Sequence, residues 1–308
     1  MVKLVKQEGI LVKIESTPGT DSVPAASANE VMVEELSWSF AGNRMVTRTA
    51  VKPTFGQLPP LYAGKLMELT FTVELKGASG AGVAPEYGAL LRACGMGQTI
   101  VSSTSVTYAG VSTGHEYVTI YYYEDGGLYK MTGVQGTFEI TCAAGDIGRI
   151  SFTMTGHVSG PTDVTLPTFV FSAVVPPPFI DAAFNTDDYA SIIDSITFSP
   201  GNVIVMPNDP NDADGYGLMQ IVDREYTGSF DPQATLVSAD NPIADWIAGT
   251  AKDIDTGVVG GTAGNKWKLT FPTAYYTEVS PGDRDGIRVY EIPFMCAGDD
   301  DAFSLAFT

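Results

Sequence analysis

The sequence predicts a mainly β protein in which one β-sandwich plan is laid down twice, each copy carrying a single short flanking α-helix. Three observations lead there. With 308 residues, 44% hydrophobic and 17% charged, the chain can bury two ordinary cores, and its 33 glycines and 19 prolines favour many short elements joined by turns. Apolar and polar residues alternate with a period of two in several segments. The order of elements in the first half then returns in the second.

Taken in order, residues 1–30 open with a possible short strand and pass through TPGTDSVPAASAN, a Pro/Ser/Ala-rich stretch that reads as an arm. VEELSWSF (33–40) sets Leu36, Trp38 and Phe40 on one side of a strand and Glu35, Ser37 and Ser39 on the other. A turn-rich excursion (41–65) leads to MELTFTVELKG, with Leu69, Phe71, Val73 and Leu75 inward and Glu68, Thr70, Thr72 and Glu74 outward. GASGAG (77–82) reads as a flexible connection. PEYGALLRACGM (85–96) then reads as a helix, with Pro85 in its first turn and Gly95 as its stop. Strands follow around 117–123, 128–142 and 149–156, turning at Asp125-Gly126 and Gly145-Asp146.

The second half repeats this plan. VDREYTGSFD (222–231) takes the place of ELTFTVELKG. Asn241 to Gly249 repeats the helix, with Asn241 as N-cap, Pro242 in the first turn, Asp245 near the positive end of the dipole and Gly249 as the stop. KWKLTF follows LYKMTG, and a Gly-Asp pair (Gly145-Asp146, Gly282-Asp283) stands as a turn ahead of each last strand. Matching points lie roughly 155 residues apart early and roughly 137 apart late, so the copies differ in loop length and not in plan. The expected division is an arm (1–30), a first domain (31–178) and a second (179–308). Between the copies lie a closing strand (164–174), a rigid Pro176-Pro177-Pro178 corner, an acidic surface stretch at Asp187-Asp188 and a strand at 192–198.

The charge balance, 17 Lys+Arg against 36 Asp+Glu, opposes a phosphate-binding surface. Three cysteines without C-x-x-C spacing fit buried free thiols. MVKLVKQEGILVKIE scatters charges through its apolar residues, unlike a signal peptide, and no apolar run reaches the ~20 residues that span a bilayer. No catalytic or metal constellation emerges. NDPNDADG (208–215), set on a calcium-loop frame, puts Pro210 at the first ligand position and Ile221 at the twelfth, so it reads as an Asx-rich hairpin tip. His115 and His157 lack nucleophilic partners, and the glycines of GASGAG and GGTAG (260–264) lack the phosphate-loop context and read as flexible loops. Asp299-Asp300-Asp301 reads as a solvated turn. The expectation is a protein with no enzymatic activity and no cofactor.

TPGTDSVPAASANEV, the strand–helix–strand order and GVQGTFEITCAAGDIGRISFTMTG (133–156) resemble the tail tube proteins of long-tailed bacteriophages, over essentially the whole chain. The second copy departs from the pattern, carrying PTAYYTEV (272–279) where the first has its G-x-x-G-T-F phrase. The resemblance implies a structural virion protein, made in the host cytoplasm, that stacks in rings as a hollow tube for DNA ejection. It also implies a tape-measure protein inside, and terminator and distal tail proteins at the ends. A doubled chain would close a ring as a trimer with pseudo-sixfold symmetry. DNA would transit without specific binding, and no membrane would be involved. With about four inner strands from each of six domains, ~4.8 Å spacing and ~45° tilt give a backbone diameter of ~50 Å. Glu35, Glu68, Glu74, Asp223, Glu225 and Asp231 are the candidates for an acidic channel wall. The excursions at 41–65 and 200–220 are the candidates for contact with the next ring, through Asn43, Arg44, Phe55, Leu58, Asp209, Asp212, Asp214 and Tyr216. The rival reading is a secreted or surface-displayed β-sandwich adhesin or carbohydrate-binding module.

Overall fold

The computed structural model describes residues 4, 6–187 and 189–308, so Asp188 of the expected acidic stretch lies outside the described residues. The first half contains strands β1 (Glu8–Ile14), β2 (Glu30–Val31), β3 (Glu34–Ala41), β4 (Met45–Val46), β5 (Leu61–Tyr62) and β6 (Leu66–Glu74). Helix α1 (Gly88–Ala93) follows, then β7 (Met96–Val101), β8 (Ser105–Gly110), β9 (Val118–Glu124), β10 (Gly127–Ala143) and β11 (Arg149–Asp163). The second half has β12 (Asn185–Thr186), β13 (Tyr189–Ala190), β14 (Ser195–Ser199), β15 (Val203–Val205), β16 (Gln220–Asp223) and β17 (Thr227–Phe230). After helix α2 (Pro242–Ala248) come β18 (Lys252–Asp255), β19 (Trp267–Tyr276), β20 (Ser280–Arg284), β21 (Ile287–Cys296) and β22 (Ser304–Phe307). The protein is mainly β, with two short helices among the described residues.

Alternation becomes burial where it was clearest: Leu69, Phe71, Val73 and Leu75 are all within 1% of full burial. In β3, Leu36 and Trp38 pack on the core, while Phe40 is 40% exposed beneath the Lys65 ammonium. Helix α2 is bounded as its sequence dictates. The Asn241 side chain accepts from the Ala244 N–H, Pro242 needs no donor in the first turn, and Gly249 ends the helix in the left-handed region at φ 63°.

The ladders build one continuous antiparallel sheet in the order β3-β6-β11-β10-β14-β17-β21-β20. Its first four strands come from the first half and its last four from the second, and β10 with β14 forms the seam between them. A second layer contains the ladders β2-β1-β9-β10 and β13-β12-β18-β19. Within the eight-stranded sheet each half orders its strands first, second, fourth, third along the chain, whereas the β7–β8 hairpin of the first half pairs instead with β22. A single apolar core runs through both, and Phe198 at the seam stacks on Phe303 at 4.1 Å and meets Phe138 at 6.4 Å.

Four local expectations are corrected. Residues 8–30 are no free arm: β1 pairs with β9 from Glu8↔Glu124 to Ile14↔Val118 and buries Ile10, Leu11 and Val12. Lys13 of this strand points to water, and buried Glu15 just beyond it accepts from the Gly19 N–H, the Thr119 hydroxyl and the Gly133 N–H. Residues 164–174 form no strand, because β11 already runs on to Asp163. They cross as a strap instead, Phe169 lying over Gly9 and the Val170 N–H bonding the Glu30 carboxylate. Gly282-Asp283 lies inside β20, and the turn is made two residues later by Asp285-Gly286, whose φ values of 52° and 85° suit a tight hairpin. The two glycine loops are packed against each other. The Ala78 N–H bonds the Gly264 carbonyl at 2.9 Å, and the Gly77 N–H bonds Asn265 Oδ1 at 2.8 Å.

Candidate functional site

One face of the eight-stranded sheet packs on the core and the other is polar, and hydroxyls dominate the polar face. Cross-strand pairing sets Thr72 against Ser151, Thr70 against Thr153 and Glu68 against Thr155. On the far side of β11, Ser151 faces Glu139 and Thr153 faces Thr137. The row crosses the seam without a break, from Thr141 to Thr197 and on to Ser229. Hydroxyls bond one another across the strands, Thr72 to Ser151 at 3.0 Å and Thr197 to Ser229 at 2.9 Å. Such a face is flat and short-chained, because β-branched Thr fits a pleated surface without projecting far from it.

The acidic candidates divide. Glu68 lies on this face, half-buried. Glu74 also lies on it, paired at 3.2 Å with Lys76, a lysine that is 1% exposed and also meets Glu86 at 3.3 Å. Asp231 stands at the end of β17, where it accepts from the backbone of Asp194 and Ser195 and pairs with Arg284 at 2.6 Å. Glu35 occupies a bulge at the free edge of β3, with φ 52°. Asp223 is in the separate β15–β16 hairpin and Glu225 in the connection after it, so neither is on the eight-stranded sheet. Exposed Glu139, absent from the sequence candidates, is on the polar face. Its signal was available in the alternation of Phe138 and Ile140 around it.

The excursions form short hairpins, β4–β5 and β15–β16, and the second loop lies on the base of the first. Arg44 stacks over the Tyr216 ring at 3.6 Å and donates to the Gly215 carbonyl at 3.0 Å and to Asn208. Tyr62 donates to Asp214 at 3.0 Å, and Tyr216 donates to the Gly42 carbonyl. Asp209 and Asp212 accept from the backbone of Asn211 and Asp214, the Asx turns expected of this tip. Asp212 also lies 3.6 Å from His157, and His157, Asp212 and Asp214 bring possible metal-ligand atoms within 4.8 Å of one another. Asn43, Arg44, Asp214 and Tyr216 thus stand at or in the joint between the excursions. Phe55 and Leu58 lie in the segment between β4 and β5, where the Val51 and Phe55 side chains are wholly exposed.

Burial pushes the Cys142 and Cys296 thiols up to about 12 and raises that of Cys94 as well, which removes all three as nucleophiles. Among the described residues no helix is long and apolar enough to cross a membrane. Residues 6–296 match the family described as phage tail tube protein. The chain belongs to that family. This tail tube protein is therefore a structural component of the virion tail, of a family that self-assembles into a tube, and the adhesin reading has no support. No curated protein matches the sequence.

Proposed function

We propose that this tail tube protein is an internally duplicated subunit, three copies of which close one ring of the tube with pseudo-sixfold symmetry around a channel lined by the hydroxyl face. The observation that carries this reading is the recurrence of one pairing order, β3-β6-β11-β10 and then β14-β17-β21-β20, within a single sheet. Each half thereby offers four strands, and three chains supply about 24, which closes at a backbone diameter of ~50 Å. A duplex roughly 20 Å wide passes such a channel with its hydration. The wall carries Glu68, Glu74 and Glu139, and the chain's net charge of −19 adds a field that holds no phosphates.

Rings stack through the excursions. The joint at Arg44 and Tyr216 braces them, and the exposed 47–60 segment with Phe55 reaches the next ring. Assembly takes place in the host cytoplasm, around a tape-measure protein and between terminator and distal tail proteins. The test is microscopy combined with mass measurement on purified assemblies. Rings with six density lobes and a mass of three 32.6 kDa chains are expected; six chains per ring, or persistent monomers, would overturn the reading.

A further inference from the structure

His157 lies on β11 in the first half, opposite Thr132, while Asp212 and Asp214 lie between β15 and β16 in the second. The fold gathers the three side chains so that one ligand atom from each is within 4.8 Å of the other two. The imidazole sets this group apart from an acidic turn. Its Nε2 stands 3.0 Å from the Gly217 carbonyl, which can only accept, so Nε2 carries a proton and donates. In the neutral ring Nδ1 then holds a lone pair, 3.6 Å from Asp212 Oδ1. That gap exceeds a hydrogen bond but suits the edge of a coordination shell, since ligand atoms ~2.0–2.1 Å from a tetrahedral zinc stand about 3.3 Å apart. A backbone carbonyl on the far nitrogen is also what orients a metal-bound histidine. We propose that His157 Nδ1 and the carboxylates of Asp212 and Asp214 form a site for one divalent first-row transition cation, with zinc as its probe.

Each ligand is held from outside the group. The Tyr62 hydroxyl donates to Asp214 Oδ1 at 3.0 Å, and the Asp214 N–H donates to Asp212 Oδ1 at 2.8 Å, which fixes the turn between the two carboxylates. The Arg44 guanidinium of the neighbouring joint is engaged by the Gly215 carbonyl and Asn208, so the carboxylates converge with no arginine between them. Beside them opens a groove of about 300 Å³, walled also by Thr132, Ser159 and Asp209, with room for the waters that complete a shell. The donor set narrows the cation. Imidazole suits zinc and its neighbours, whereas magnesium and calcium take oxygen ligands. A bound ion would pin the tip of the second excursion to β11, a link between the halves that the hydrogen bonds of the joint do not supply. Without His157 the same tip is only an Asx turn.

The test titrates ZnCl2 into the full chain, made without an affinity tag and stripped of metal beforehand, in a calorimeter. One Zn2+ per chain with a micromolar Kd is expected, and a Tm rise of about 4 °C at about a hundred times that concentration. Asp212→Asn and His157→Gln keep size and polarity, and each should weaken zinc binding about tenfold or more. His115→Gln removes the other histidine and should leave binding unchanged. A second readout is the visible absorption of bound Co2+, which the parent should show and Asp214→Asn should lose. Absence of zinc binding by the parent would overturn the site. So would binding that survives both Asp212→Asn and His157→Gln, or that is lost in His115→Gln. Circular dichroism of the metal-free variants shows that they remain folded, and Asp212→Asn, at an exposed position, keeps the test open if His157→Gln does not fold. Ring stoichiometry does not enter these readouts, so the site stands or falls apart from the ring reading.

Discussion

Substituting Gly77 by alanine tests the docking of the two halves where no side chain can swing aside. A Cβ built there would lie 2.0 Å from the Gly264 carbonyl oxygen and 2.8 Å from the Asn265 Cα, both backbone atoms of the other half. Relief must therefore come from separating the loops. Separation breaks the bonds from the Gly77 N–H to Asn265 and from the Ala78 N–H to Gly264. Overpacking of this kind costs about 1–3 kcal/mol and each of the two lost bonds about 1 kcal/mol, so Gly77→Ala should destabilise by about 3–5 kcal/mol. In a chain of this size that lowers Tm by about 4–8 °C, read by circular dichroism on heating. Gly261→Ala is the control, because a Cβ there meets nothing within 4 Å, and it should stay within about 0.5 kcal/mol of the parent. If Gly77→Ala melts with the parent, the backbone contact between the halves is refuted.

Other outcomes follow from single features. Phe198→Ala removes the ring that stacks on Phe303 and Tyr226 at the seam, and should cost about 3–5 kcal/mol in urea unfolding. Val51→Ser with Phe55→Ser touches two wholly exposed side chains, so unfolding should stay within about 0.5 kcal/mol while tubes, measured by electron microscopy, shorten or vanish. Asp240 has its carboxyl raised by burial and by Asp245, against the pull of Lys252. A raised carboxyl opposes folding above its ordinary value of 3.8 and ceases to do so once protonated in both states. Asp240→Asn should therefore raise Tm at pH 7, and that gain should shrink as pH falls through the raised pKa and be gone below about 3.8.

What the sequence disclosed was local. The strand over Leu69 to Leu75 was legible because one buried face enforces a period of two, and α2 because Asn241, Pro242 and Gly249 each satisfy a terminus by their own chemistry. The strand at the start of the chain was expected but not its pairing with β9, whose residues lie about 110 positions away, and the misplaced Gly-Asp turn shows a dipeptide signal losing to Asp285-Gly286, which supplies both left-handed residues. The β10–β14 seam was not legible in any window: its partners are about 55 residues apart, and their pairing is decided by the sheet as a whole. Two of the acidic candidates left the eight-stranded sheet for a related reason. Without knowing where β17 begins, Asp223 and Glu225 look like alternating outward residues, whereas the strand starts at Thr227 and presents Thr227 and Ser229.

That shift from carboxylates to hydroxyls changes how the proposed channel would treat DNA. A lumen about 40 Å wide leaves roughly 10 Å between a centred duplex and the wall. This is about one Debye length at physiological salt, so a few carboxylates act weakly on a centred duplex and more strongly as it drifts outward. Thr and Ser hold a layer of water on the wall and carry no positive charge with which to grip a phosphate. Arg149, the cation on the face near the seam, is engaged by Asp146 at 2.9 Å and by Glu34 at 3.4 Å. A wall of this kind centres the duplex through sparse repulsion and lubricates it through water. On that account, adding lysines at Thr137 and Thr153 should slow ejection more than removing Glu139, and the difference should shrink as salt is raised. Equal slowing by Glu139→Gln and by the paired lysines, measured as DNA release from particles, would show that density of negative charge governs passage after all.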